Sequence, residues 1–333
     1  MGWWDRAWKT RAEDWVFGWL APGQVPGGAP SGNVEPDAAY LNIFLKSARI
    51  VNLREGLGTF YGAVHSFTRL PHRSTNTAEF NVVTTPSELK NADAGGIDRV
   101  VQINQRLLGP VPYVDGDLEL EIGLFSVAAS NLAAPYLSLL ESLSKTAGVS
   151  FISAAVSLSG PILEGVKLLT GSDRDVRLEI GLSMTEPKPR QGYCVVMRAP
   201  KEAVKLADLR LDGSDFRLLG ADGRAVKDYP YMVIEVSAGP RRPDWFKIPE
   251  LAKAYARIQE LYRDGSEDTG AALQLFRRIA RTSNDLIQSD ADALADKVDS
   301  MYRVTSVQQT HRGIQKAGSP RELPDLEEMN LYS

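Results

Sequence analysis

The sequence predicts an α+β protein: an antiparallel β-sandwich that carries an inserted helical hairpin and is followed by a helical region. Three observations predict it. Short β-branched and aromatic runs recur from Tyr40 to Val236 with turn signals between them. One stretch within them, 131–170, changes to helical spacing and is nearly free of charge. After Pro249 an apolar stripe at i, i+3, i+4 and i+7 takes over.

The chain opens on a different signal. Five of its six tryptophans lie in the first twenty residues: Trp3, Trp4, Trp8, Trp15 and Trp19. On a helix, Trp4, Trp8, Trp15 and Trp19 share a sector of roughly 60°, with Asp5, Lys9 and Glu13 on other faces. Residues 1–20 are therefore expected to form an amphipathic, near-neutral helix with an indole stripe. Residues 21–37, APGQVPGGAPSGNVEPD, cannot sustain a helix or a central strand and read as a flexible linker.

The body is expected over 38–240. Period-two runs begin with Leu41, Ile43 and Leu45, and others follow at 59–68, 78–84 and 97–108. Asp115-Gly116 marks a turn before Leu118, Leu120, Ile122 and Leu124. An internal echo follows: DLELEIGL at 117–124 and DVRLEIGL at 175–182. It reads as two strands in similar environments, with Gly123 and Gly181 marking a bulge or a close backbone approach. Between the copies, residues 131–170 read as a helical hairpin packed on the sheet. Further strands are expected at Tyr193–Met197, around Phe216–Leu219 and at Tyr231–Val236, with Asp222-Gly223 as a hairpin turn. The strand count and the helical insertion are similar to C2-type sandwiches in architecture alone; no C2 sequence motif is present.

Residues 241–303 read as helical. Pro249 suits a first helical position, and Leu251, Tyr255, Ile258, Leu261 and Tyr262 form the first stripe. Gly265 is expected to stop that helix and Ser266 to cap the next, with a break near Ser289. Residues 304–333, rich in Gly, Ser, Pro and acids, read as a mostly disordered tail.

Composition narrows the chemistry. The net charge of −4 offers no excess of cations for a phosphate backbone, so nucleic acid is not an expected partner. The one cysteine, Cys194, excludes an intrachain disulfide and reads as a buried, inert thiol. Cytoplasmic residence is the expectation, with peripheral membrane attachment through the N-terminal helix as a variant. The chain carries no phosphate-binding loop, nucleophile elbow or zinc motif. His65 and His72, with Glu79, are the candidate metal or acid–base group. Asp115 and Asp117, with Asp173 and Asp175 at the corresponding place before the second echo, are weak candidates for calcium, which seeks several oxygen ligands; otherwise no cofactor is expected. Arg69 and Arg73 near Pro71, and Arg241 and Arg242 near Trp245, are candidate anion sites.

These readings converge on a non-enzymatic binding or targeting protein. Its tethered tryptophan helix, through Trp4, Trp8, Trp15 and Trp19, would dock to a partner protein or a membrane surface. Oligomerisation through the C-terminal helices is a further expectation. Two alternatives belong to other classes: a membrane-permeabilising effector using that helix with the 131–170 hairpin, and a metal-dependent hydrolase using His65 and His72.

Overall fold

The computed structural model describes residues 15–51, 54–55, 58–73, 77–84, 100–128, 176–200, 202–313 and 322–332. The 131–170 segment, Trp4 and Trp8 lie outside these. The chain forms two compact units, one within residues 1–36 and 41–238 and the other within 37–40 and 239–333. The fold is mixed α+β, with antiparallel sheets in the first unit and three helices in the second.

The first unit holds two five-stranded sheets and a small hairpin. Its strands are β1 (Trp15–Trp19), β2 (Tyr40–Arg49), β3 (Arg54–Glu55), β4 (Gly58–Leu70), β5 (Ala78–Thr84), β6 (Val100–Pro112), β7 (Leu118–Ala128), β8 (Val176–Glu186), β9 (Gly192–Arg198), β10 (Arg210–Leu211), β11 (Leu218–Leu219) and β12 (Tyr231–Gly239). The first sheet runs β1-β9-β12-β2-β6. The second runs β3-β4-β7-β8, with β5 paired to β4 as well. β10 and β11 pair with each other.

Alternation explains the first sheet. Tyr193, Val195 and Met197 of β9 and Tyr231 and Val233 of β12 point to one side, into a core with Leu209, Leu211 and Leu218 from the β10–β11 region. The intervening Cys194, Val196, Met232, Ile234 and Val236 are buried on the other side. A sheet covered on both faces reads as a continuous apolar run, which is how β9 and β12 read. Gly109 of β6 lies at φ +97°, where a Cβ would collide with the carbonyl of Leu41. Only glycine suits that close approach of β6 to its sheet neighbour β2.

The echo resolves into neighbours. β7 and β8 pair antiparallel, with Leu120 opposite Met184, Ile122 opposite Leu182, Gly123 opposite Gly181 and Leu124 opposite Ile180. The two copies thus bury the same kind of row on one shared face. The register shifts just beyond, where Leu124 faces Ile180 but Phe125 faces Leu178, so Glu179 is the extra residue of a bulge.

Three expectations are corrected. First, residues 15–19 form a strand, not the end of a helix. Trp15 and Trp19 are four residues apart, a spacing that fits one helical turn and also two strand repeats. The unsatisfied β9 edge decides between them. Second, residues 21–34 are not a loose tether. Leu20, Val25 and Val34 are buried, and the Gln24 amide donates to the carbonyls of Leu206 (2.8 Å) and Leu209 (2.6 Å). Val34 N–H donates to Pro189 O (2.8 Å) and Gln191 N–H to Gly32 O (2.9 Å). Pro and Gly here build turns, with Gly27, Gly28 and Gly32 all at positive φ, and neighbouring chain supplies the missing hydrogen bonds.

The third correction concerns the helical unit. It contains α1 (Pro249–Arg263), α2 (Thr269–Thr282) and α3 (Gln288–Gly313). Pro249 stands at the first turn of α1, and Gly265 at φ +65° ends it. α2 packs on both α1 and α3 through Leu273, Phe276 and Ala280. Here α3 continues ten residues past the expected boundary of 303. Beyond it, residues 322–332 are packed rather than disordered, with Leu323, Leu326, Met329 and Leu331 buried. Polar and acidic composition hid an apolar spacing of three, Leu323, Leu326 and Met329, which is enough to fix a short segment against helices.

Candidate functional site

β1 is an edge strand, and its geometry is fixed by two hydrogen bonds beside it. Leu20 N–H donates to Tyr193 O (2.9 Å), and on the other side of β9 Arg198 N–H donates to Pro230 O (3.1 Å). In an antiparallel ladder the bonded pairs alternate. Val16, Gly18 and Leu20 therefore direct their backbone groups to β9, while Trp15, Phe17 and Trp19 direct theirs outward. Among the described residues no strand pairs with that outer row.

Side chains follow the same alternation. Val16 and Leu20 join the core cluster, and Leu206 packs closely over Gly18. Phe17 faces the other way and is 42% exposed. Trp19 is half-buried, with Gly192 against its ring and the Arg190 guanidinium 5.6 Å from the ring centroid. Phe17 was not singled out in the sequence. The alternation Trp15-x-Phe17-x-Trp19 was the signal that could have found it.

The candidate anion sites do not assemble. Arg69 is held by Glu79 (2.9 Å) and Glu119 (3.0 Å), two carboxylates on one guanidinium, so the local charge is negative. Arg73 is half-buried and has a partner of its own. Arg242 is fully buried; its Nε donates to Asp244 (3.0 Å) and its Nη1 to the carbonyl of Asp285 (2.9 Å). Arg241 remains at the surface, its guanidinium 5.3 Å from the Tyr332 ring centroid.

The candidate metal groups fare similarly. His65 and His72 are both buried. His65 lies between Val83 and Gly123 in the sheet, four residues and so about 13 Å along β4 from Arg69. That arginine engages Glu79, the proposed third member. For the calcium candidates the ladder gives the ends of β7 and β8. Asp117 precedes Leu118, which faces Glu186, whereas β8 begins at Val176, which faces Val127. The two ends are nine residues, roughly 30 Å, apart. Asp173 and Asp175 lie outside the described residues. Asp115 accepts instead from the N–H of Gly116 (2.8 Å). No cluster suited to a metal ion occurs among the described residues.

Cys194 is fully buried, and burial pushes its thiol up to about 12, so it is protonated and unreactive in the folded chain. Among the described residues no helix is long and apolar enough to cross a membrane.

In the helical unit the most densely bonded group was not legible in the sequence. Tyr40 and Tyr332 both donate to one oxygen of Asp290, at 2.7 and 2.6 Å. Each hydroxyl also accepts a backbone N–H, from Ile287 (3.2 Å) and Arg242 (2.7 Å) respectively. Burial first, and then the carboxylate, push both phenols well above the usual tyrosine range. The three side chains stand up to 292 positions apart with no shared motif. Two phenols and two backbone N–H groups joined through one carboxylate oxygen make this a structural anchor.

No family model, curated protein or solved structure matches this chain.

Proposed function

We propose that the protein is a non-enzymatic binding module that takes an extended segment of a partner protein onto the free edge of β1. The observation that carries this reading is the outward row of backbone groups at Trp15, Phe17 and Trp19, centred on a phenylalanine that is 42% exposed. A row of unpaired N–H and C=O groups is a template for a further strand. Covering the rest of the Phe17 ring contributes about 2 kcal/mol, and each backbone bond about 1. Arg190 and Arg198, beside Trp19 and Trp15, favour a partner segment that carries acidic residues. Trp4 and Trp8 extend the aromatic character of the segment upstream. In the same reading the two large sheets are the layers of a C2-like sandwich, with 131–170 as a helical hairpin on it.

The test is Phe17→Pro. It removes one outward N–H and the exposed ring while leaving the bonds to β9 in place. Partners captured by the full chain from native lysate are expected to be lost with this variant and its melting temperature nearly kept. Retention of the same partners contradicts the reading. So does binding to phosphatidylglycerol vesicles by both proteins, which would move the function to a membrane surface.

A further inference from the structure

Residues 322–332 lie against α1 and α3 as a peptide lies in a receptor groove. Four features make the resemblance physical. Apolar side chains at Leu323, Leu326 and Met329, three residues apart, are buried, and Leu331 joins them. The helices read the backbone of the segment rather than its side chains. Tyr255 Oη donates to Pro324 O (2.6 Å), and Lys297 Nζ donates to Asn330 O. One side-chain pair sets the register, Gln259 Nε2 to Asp325 Oδ1 (3.0 Å). The far end is pinned by Tyr332, bonded to Asp290 and Arg242 and stacked under Arg241. The fit is incomplete. A cavity of about 320 Å³ remains between Gln259, Arg263 and the segment at Leu323–Asp325 and Glu328.

Eight residues, 314–321, join this segment to α3, and they include Gly318, Ser319 and Pro320. Extended, they span up to about 28 Å. We propose that the α1–α3 groove is a recognition site for the 322–332 segment in either of two copies, so that one chain can seat its segment in the groove of another. The occupant is identified by its contacts in the groove. The groove already holds this sequence, and every bond made within a chain is available unchanged between chains, the condition for exchange at low cost. The segment carries Glu322, Asp325, Glu327 and Glu328, and the groove offers Arg263, Lys297 and Arg241. This inference is independent of the β1 edge.

Four full-length variants test it: Gln259→Cys, Asp325→Cys, the double variant of these two, and Glu327→Cys as a control. Neither position is buried, and Cys194 is sealed in the sheet. A short bismaleimide should close the double variant within one chain. When the two single variants are mixed at high concentration, exchange predicts a covalent heterodimer. Its yield should be at least tenfold that from Gln259→Cys mixed with Glu327→Cys, where the second thiol is displaced from the contact. Equal yields in the two mixtures overturn the proposal. So does closure of the double variant with no heterodimer, or failure of the double variant to close.

Discussion

Asp290 is a single carboxylate whose one oxygen receives two phenols, and each phenol in turn accepts a backbone N–H. Removing it takes the acceptor from the buried Tyr40 hydroxyl and from the part-buried Tyr332 hydroxyl, which can turn to the carbonyl of Arg242 (3.2 Å); an unsatisfied buried hydroxyl costs about 1–3 kcal/mol. Asp290→Ala is expected to lower unfolding free energy in urea by about 2–5 kcal/mol, and Tyr332→Phe by less, since Tyr40 keeps its acceptor. The same group sets an alkaline limit. The folded chain holds Tyr40 and Tyr332 neutral well above the ordinary phenol value, and Tyr193 and Tyr231 are pushed up to about 12 by burial. Raised values in the folded state mean that this stability is full below about pH 10, where unfolded tyrosine titrates. It is lost as pH rises toward and through the folded values. Urea midpoints should hold steady from pH 8 to 9.5 and fall above pH 10, with phenolate absorbance rising in the same transition. A steady midpoint through pH 11.5 would contradict this assignment. None of this was legible beforehand. Hydrogen-bond partners separated by hundreds of residues leave no local pattern, and Arg242, read as a surface cation, gave no sign that Asp244 and Asp285 would bury it.

At the scale of elements, the strands of the body were the most readable. Runs such as Ala78–Thr84 and Tyr231–Gly239 alternate or stay apolar, and a sheet with covered faces demands that pattern. α1 was equally plain, because Pro249, the apolar stripe and Gly265 agree on its limits. The N-terminal segment failed for a definite reason. The four-residue spacing of Trp15 and Trp19 satisfies both the helix and the strand period, and only the partner edge of β9 separates them. The echo was legible as two similar strands but not as neighbours, since pairing is a property of topology. Gly109 supplies a test at this scale. Gly109→Ala places a Cβ at positive φ against the Leu41 carbonyl, so the β2–β6 pairing must distort. A stability loss of about 2 kcal/mol or more is expected by thermal melting; a loss under about 0.5 would show that β6 does not approach β2 as described.

For the whole molecule, the two proposals fall on different units. The sheet unit offers an aromatic edge, and the helical unit holds a segment of its own chain in a groove. Tryptophan enrichment in the first twenty residues drew attention to the segment that contains β1, but its strand conformation and its link to β9 were not legible. The central claim is that β1 is fixed to β9 on one side and, among the described residues, unpaired on the other. Amide hydrogen exchange followed by NMR on the full chain tests this most directly. The amides of Val16, Gly18 and Leu20 should be protected, and those of Phe17 and Trp19 should exchange rapidly until a partner strand is bound. Protection of all five, or of none, would contradict the account.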